Sequence, residues 1–174
     1  MRLRIRPYEP EDACELAAAV AESQPELYRW MDWAHPGYSL DDATRWLAER
    51  PRLFRQGSEY EHAVFATLDD GVERYAGGCA VNLIRPAEGI ANLGYWVRSS
   101  LAGRGIATGA ARLLVELARN STDLRQLEIV CASGNHASRR VAEKLDAVDL
   151  GPVAARLMIH GQPREAFLYR LDLR

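Results

Sequence analysis

Residues 93–145 read LGYWVRSSLAGRGIATGAARLLVELARNSTDLRQLEIVCASGNHASRRVAEKL, and the fold turns on how this stretch is parsed. A strand, ANLGYWV, over about 90–97, runs through SSLAGRG into an amphipathic helix from about Gly105 to Arg119. Ile106, Ala110, Leu113, Leu114 and Leu117 are expected on its core face, with Thr108, Arg112, Glu116 and Arg119 opposite. The apolar strand QLEIVCA follows. A turn at Gly134 then leads into a short helix over about 136–145, where Ala137, Val141 and Leu145 recur every four residues.

The join between strand and first helix, AGRGIATG, carries the chemistry. Gly103 and Gly105 lack Cβ atoms, so a ligand can approach the backbone there. The first turn of the helix offers unpaired N–H groups and the positive end of its dipole, which favour a phosphate, and Arg104 adds a mobile cation. The same glycines also suit a turn that only starts a helix. A P-loop would need a Gly-Lys-Ser/Thr ending, which is missing. A dinucleotide fingerprint would need G-x-G-x-x-G and an acid at the end of the next strand. Here the glycines are spaced G-x-G-x-x-x-G, and that strand ends Val-Cys-Ala-Ser.

Outward from this core, residues 2–7 alternate charged and apolar and predict a strand. Pro10 opens a helix with Glu11 and Asp12 in its first turn and Ala13, Leu16, Ala17 and Val20 as its buried stripe. A second helix is expected from about Ser39 to Phe54, with Ser39 and Asp42 resembling a capping box. Between the two lies LYRWMDWAHPGY, an aromatic segment suited to lining a pocket or to pinning the helices. AVFATL, an Asp70-Gly71 turn and YAGGCAVNLI predict a hairpin. A last hairpin pairs VAARLMIH with AFLYRLDL across Gly161-Gln162-Pro163. The expected fold is α/β (α+β): one domain over 1–174 with a mixed, mostly antiparallel sheet of about six or seven strands flanked by helices.

Composition excludes other classes. The chain of 174 residues is 48% hydrophobic and 26% charged, as in an ordinary folded domain. Its formal charge of -2, from 22 basic and 24 acidic residues, argues against a nucleic-acid coat or a polybasic membrane binder. No stretch approaches the ~20 apolar residues of a membrane span. MRLRIRPYEP lacks the apolar centre of a signal peptide, so a cytoplasmic protein is expected. Cys14, Cys79 and Cys131 have neither disulfide-framework nor zinc spacing, and the four histidines have no metal-ligand spacing.

Three blocks, LGYWV, AGRGIATGAARLL and N-HAS-RRVAEKL, together resemble the GNAT superfamily of acetyl-CoA-dependent N-acetyltransferases, in particular its RimJ/RimL-type branch. The resemblance implies a sheet splayed between two central parallel strands to admit the pantetheine arm. The family's pyrophosphate motif, Q/R-x-x-G-x-G/A, falls on Ala102–Ala107, with Ala102 in place of Gln or Arg. It implies that the amides of Gly103, Arg104, Gly105, Ile106 and Ala107 hold the pyrophosphate. It also implies that a backbone N–H among Trp96, Val97 and Arg98 polarises the thioester. Asn135 and Ser138 fall on the family's N-x-x-S positions, implying a pantetheine contact and a proton donor to the leaving thiolate; Asn135 equally suits a helix N-cap. Arg98, Arg104, Arg139 and Arg140 fall in the stretches that would face the cofactor, although Arg139 and Arg140 equally suit a solvated helix face. Where relatives end this helix in Gly-Phe, the chain has Asp146-Ala147, and a left-handed cap is expected to persist on Asp146.

The family's usual Glu before LGYW is Asn92, and a carboxamide is no base at neutral pH. Asn92 is therefore expected to orient water or substrate, with Glu88 or a water chain taking the proton. Tyr169 matches a tyrosine that could line the acceptor site, or it is a half-buried strand residue. Trp30, Trp33 and His35 fall where relatives shape the acceptor entrance. The function implied is transfer of an acetyl group to a primary amine, on a protein or peptide N-terminus or on a small molecule. A non-catalytic acyl-CoA-binding or sensor domain is the alternative that Asn92 and Ala102 suggest. No nucleic-acid or membrane partner is expected, and a homodimer is left open because relatives often dimerise.

Overall fold

The computed structural model describes residues 1–174. Strand β1 (Arg2–Pro7) leads through a turn of 3-10 helix at Pro10–Asp12 into α1 (Ala13–Glu22). The Asp12 carboxylate fixes this entry by accepting from Glu9 N–H at 2.9 Å and pairing with Arg6 at 2.6 Å. Helix α2 (Gln24–Trp30) follows, then α3 (Leu40–Arg55). Helix α3 starts as its sequence predicts: Asp42 N–H donates to Ser39 Oγ at 3.3 Å and Ser39 N–H to Asp42 Oδ2 at 2.9 Å. Helix α2 begins ahead of the aromatic segment 27–38 and takes in its first four residues. Pro25 in its first turn marks the start, but no apolar period accompanies it in the sequence.

Strands β2 (Tyr60–Thr67), β3 (Glu73–Arg85) and β4 (Ile90–Val97) form a meander, and α4 (Ile106–Ser121), β5 (Gln126–Ala132) and α5 (His136–Lys144) follow. Strands β6 (Val148–Ile159) and β7 (Gln162–Asp172) close the chain. The single sheet runs β1-β2-β3-β4-β5-β7-β6. Its one parallel pair, β4 with β5, holds only from Ile90–Asn92 to Gln126–Glu128. The expected mixed, splayed sheet is the one found. The last hairpin turns on His160-Gly161, both at positive φ, one residue earlier than expected; Pro163 already pairs within β7.

Helices α4 and α5 cover one face of the sheet and α1–α3 the other. Helix α4 is rotated about its axis from the expected face. Ala111 and Thr108 are buried, while Leu113 is 40% exposed. Small residues decide this: a Cβ on Gly109 would lie 2.3 Å from Leu3 Cδ1, so the helix rests its alanines and glycine closely on β1. In α1 Ala19 rather than Ala17 is fully buried, and in α5 Ala142 is buried while Ala137 is exposed. Asp146 closes α5 at φ 59°, the left-handed cap that the sequence predicts.

Candidate active site

Beyond Asn92 and Glu128 the two central strands part, and a cleft of about 1030 Å³ opens between them. It is lined from both faces of the sheet. Asn135, Ser138 and Cys131 line it on the α4–α5 side, and Glu61, Asn82 and Trp46 on the α1–α3 side. It is therefore a passage through the sheet. Arg98 N–H donates to the Ala76 carbonyl at 2.8 Å, so strand alternation turns the amides of Trp96 and Arg98 toward β3. The amides of Tyr95 and Val97 face the open edge instead. Of the three expected thioester-polarising donors, only Val97 thus turns its N–H away from β3, toward the side where β4 and β5 part.

After β4, Gly103 and Gly105 sit at φ 77° and 79°, a left-handed backbone that carries the chain into α4. No group lies within 4 Å of where their Cβ atoms would be, so the loop is open to a ligand. The first backbone bond of α4 is Gly109 N–H to the Gly105 carbonyl, at 3.0 Å. The amides from Gly103 to Thr108 have no backbone acceptor, and no acid stands in the first turn. Consecutive free donors at the positive end of a helix form an anion cradle. Ile106 contributes only its amide, because its side chain is buried in the core. Arg104 and Arg140 are exposed beside these elements.

At the start of α5, Asn135 Oδ1 accepts from Ser138 N–H at 3.1 Å, so Asn135 is the helix N-cap and keeps its amide NH2 for other contacts. The Ser138 hydroxyl lies 3.1 Å from Tyr95 Oη and 3.2 Å from Cys131 Sγ. Burial raises the Tyr95 phenol well above its usual range, and burial also raises the Cys131 thiol. Both stay protonated at neutral pH, so Ser138 belongs to a chain of neutral donors. Tyr95 was missed because LGYW reads only as a strand; its pairing with Ser138 spans 43 residues.

The other mouth is aromatic. Trp96 lies over Gly78, where a Cβ would sit 2.7 Å from the indole nitrogen, and Trp33 meets Trp96 edge-on at 6.0 Å. Tyr8 meets Trp46 edge-on at 5.0 Å. A polar row crosses this face: Asn92 Nδ2 donates to Asn82 Oδ1 at 2.9 Å, and Asn82 Nδ2 to Glu61 Oε1 at 3.3 Å. Burial pushes the Glu61 carboxyl up to about 7, against the opposing Asn82 hydrogen bond and Arg50 charge. In the same row Glu128, only 3% exposed, accepts from Arg170, Arg156 and Arg85 at 2.7–2.9 Å. Burial alone would raise Glu128, but the three guanidinium hydrogen bonds outweigh it and hold the carboxyl at about 2.

Several expected site residues lie elsewhere. The Arg98 side chain is turned onto Glu22 of α1 at 2.5 Å and does not line the cleft. Trp96 serves the aromatic mouth with its ring rather than the cofactor side with its amide. Tyr169 is 1% exposed, does not line the cleft, and receives a hydrogen bond from Arg139 Nε at 3.0 Å. Arg139 in turn lies over the Phe167 ring at 3.9 Å, so this pair is packing between α5 and β7. Glu88 sits in the β3–β4 turn, with its side chain 58% exposed and Arg85 3.5 Å away, and does not line the cleft. His35 lies against Asp42 at 3.8 Å, while Trp30 and Trp33 do line the cleft.

A splayed parallel pair, an anion cradle after the first of its strands and a through-sheet cleft define a class. The pattern of the family described as "Acetyltransferase (GNAT) domain" matches residues 2–148, and the chain belongs to that family. GNAT enzymes use acetyl-CoA as cosubstrate. Among its relatives is the Bacillus subtilis protein named "Putative ribosomal N-acetyltransferase YdaF", 28% identical over 169 residues, 97% of this chain and 90% of the relative. RimL, the ribosomal L7/L12 alpha-N-protein acetyltransferase solved with coenzyme A, superposes with a TM-score of 0.86 at 23% identity, covering 98% of this chain and 93% of that one. The microcin C7 self-immunity acetyltransferase MccE, solved with acetyl-CoA and AMP, gives 0.88 at 18% identity, with coverages of 98% and 92%. At these identities the two structures speak for the fold.

Proposed function

We propose that this chain, as one domain over 1–174, moves the acetyl group of acetyl-CoA onto a primary amine of a protein or peptide N-terminus or of a small molecule. The observation that carries this is the passage through the sheet with its aromatic, acid-bearing mouth, together with the free amides of the loop that leads from β4 into α4. The amides of Gly103–Ala107 bind the pyrophosphate, with Arg104 and Arg140 as nearby cations and Asn135 turned toward the pantetheine. The Val97 N–H polarises the thioester oxygen. Ser138, backed by Tyr95, gives a proton to the departing sulfur. The amine arrives between Trp33, Trp46 and Trp96. Holding both substrates in one channel supplies much of the rate by orientation.

The names of the relatives make an N-terminal peptide of a ribosomal protein the first acceptor to try. No helix is long and apolar enough to cross a membrane, and all three cysteines are free. Both facts agree with action in the cytoplasm, which is our proposed location. Incubation with acetyl-CoA and a mixed library of amines and N-terminal peptides should give free thiol and a product heavier by one acetyl group, each requiring both substrates. Saturating acetyl-CoA, at about 100 times its Kd, should stabilise the fold by about 2.7 kcal/mol. No stabilisation by any CoA species would defeat the reading, and tight binding without turnover would leave a sensor.

A further inference from the structure

We propose that Glu61 of β2 is the group that takes the proton from the incoming ammonium, positioned by the Asn82–Asn92 amide pair. This rests on the acetyl-transfer reading above and names a residue outside the three sequence blocks that carry the family pattern.

Placement is the first support. Glu61 faces Ala80 in the β2–β3 register and Asn82 faces Asn92 in the β3–β4 register, so all three side chains share the α1–α3 face. Their hydrogen bonds run from Glu61 to Asn92, where β4 leaves β5 and the cleft begins. A bulge follows Asn82, with Leu83 forced to φ 48°, a costly conformation for leucine that sets the direction of this strand end.

Elimination among the acids of the cleft is the second. Glu128 is saturated by three arginines. Asp42 caps α3 and pairs with Arg45, and Asp32, which accepts from His160 N–H at 2.6 Å, is exposed to solvent, whereas Glu61 is partly buried. Glu61 accepts only the single hydrogen bond from Asn82, which leaves Oε2 free.

The one cation near Glu61 is Arg50, whose charge is shared with Glu59. From the segment after β1 comes the Tyr8 phenol, bonded to Tyr75 at 2.7 Å. From β3 come Asn82 and the Cys79 thiol, which burial keeps protonated. From α3 comes Arg50, already paired with Glu59. A carboxyl so placed titrates near neutrality, which suits a base whose task is to deprotonate an amine at physiological pH. The aromatic faces beside it suit an arriving ammonium.

The ammonium gives one proton to the Glu61 carboxylate, and the freed lone pair forms the C–N bond as the C–S bond breaks. The second amine proton passes to solvent as the amide forms, and the Ser138 hydroxyl, having given its proton to the sulfur, regains one from solvent. Glu61 then returns its proton to solvent, so each turnover releases one proton.

The test uses the full chain with acetyl-CoA and whichever library acceptor it turns over fastest. For wild type, kcat/KM should rise with unit slope to a plateau above pH about 7. Glu61→Gln should lower kcat by about 100- to 1000-fold and abolish that limb, while acetyl-CoA still raises the melting temperature as in wild type. Glu61→Asp should recover part of the rate. Asn82→Ala removes a hydrogen bond that favours the carboxylate, so its limb should move to higher pH. Wild-type-like turnover by Glu61→Gln, an unmoved limb in Asn82→Ala, or loss of acetyl-CoA stabilisation in Glu61→Gln would each overturn the assignment. A wild-type chain that turns over no amine refutes acetyl transfer itself, a failure that these variants do not mimic.

Discussion

The two sides of the candidate site are built from different materials. On the α4–α5 side the chemistry is mostly backbone: free amides from Gly103 to Thr108, contributed by one continuous segment. On the α1–α3 side it is side chains, with Glu61 from β2, Asn82 from β3, Asn92 from β4 and Glu128 from β5, under rings from Tyr8, Trp33, Trp46 and Trp96. A phosphate can be bound by backbone geometry that every copy of the motif reproduces. An amine of variable shape needs side chains, which can be exchanged one at a time. Substitutions on the first side should therefore remove binding and spare the fold. Those on the second should change stability, rate or pH response.

The sharpest blow to this contrast is Gly105→Asp. Asp tolerates the left-handed backbone better than most residues, so the fold should survive. A like charge at the cradle should weaken acetyl-CoA by about 100-fold or more, read as a lost thermal shift. Retained affinity would mean that the phosphates lie elsewhere.

On the acceptor side, Glu128→Gln leaves three guanidiniums facing one another. It should cost about 2 kcal/mol in denaturant unfolding, less than a fully buried pair because the arginines are partly exposed. The Glu128 carboxyl is held near 2, below the ordinary 4.5, so its stabilisation is complete above pH 4.5 and lost as the pH falls toward 2. Wild type should show that loss, and the variant should not. Glu61 has the opposite sign. Because its folded value is raised from 4.5 to about 7, its contribution to stability falls as pH rises across that interval. Glu61→Gln should flatten that part of the profile.

Ser138→Ala should lower kcat about tenfold, with Tyr95 still present, and change the KM for acetyl-CoA little. Equal changes in both would make Ser138 a binding contact only. The smallest effect is expected for Asn135→Ala, about 1 kcal/mol of stability from the lost N-cap, with a modest rise in the KM for acetyl-CoA.

How much could be read from the residues follows the same division. The strand–glycine loop–helix unit was legible because its signals lie within a few positions of one another, as do the Ser39–Asp42 cap and the Asp146 cap. The rotation of α4 was not. Leu113 looks like core by hydrophobicity, but contact with β1 at Gly109 favours the alanine side. Arg98 and Arg104 are equally basic in sequence, and only the fold brings Glu22 to the first of them. Tyr169 matched a family position, yet Arg139 and the packing of β7 take it out of the cleft.

The sequence by itself determined the class of fold and the phosphate-binding loop, because backbone conformation and local amide availability depend on neighbouring residues. It also showed that position 92 lacks a base. Only the tertiary structure decided where a replacement stands. Glu61 is an ordinary charged residue in SEYEHAVF until β3 and β4 pair beside it. Burial and the Asn82 contact, both products of long-range packing, set its acid–base behaviour.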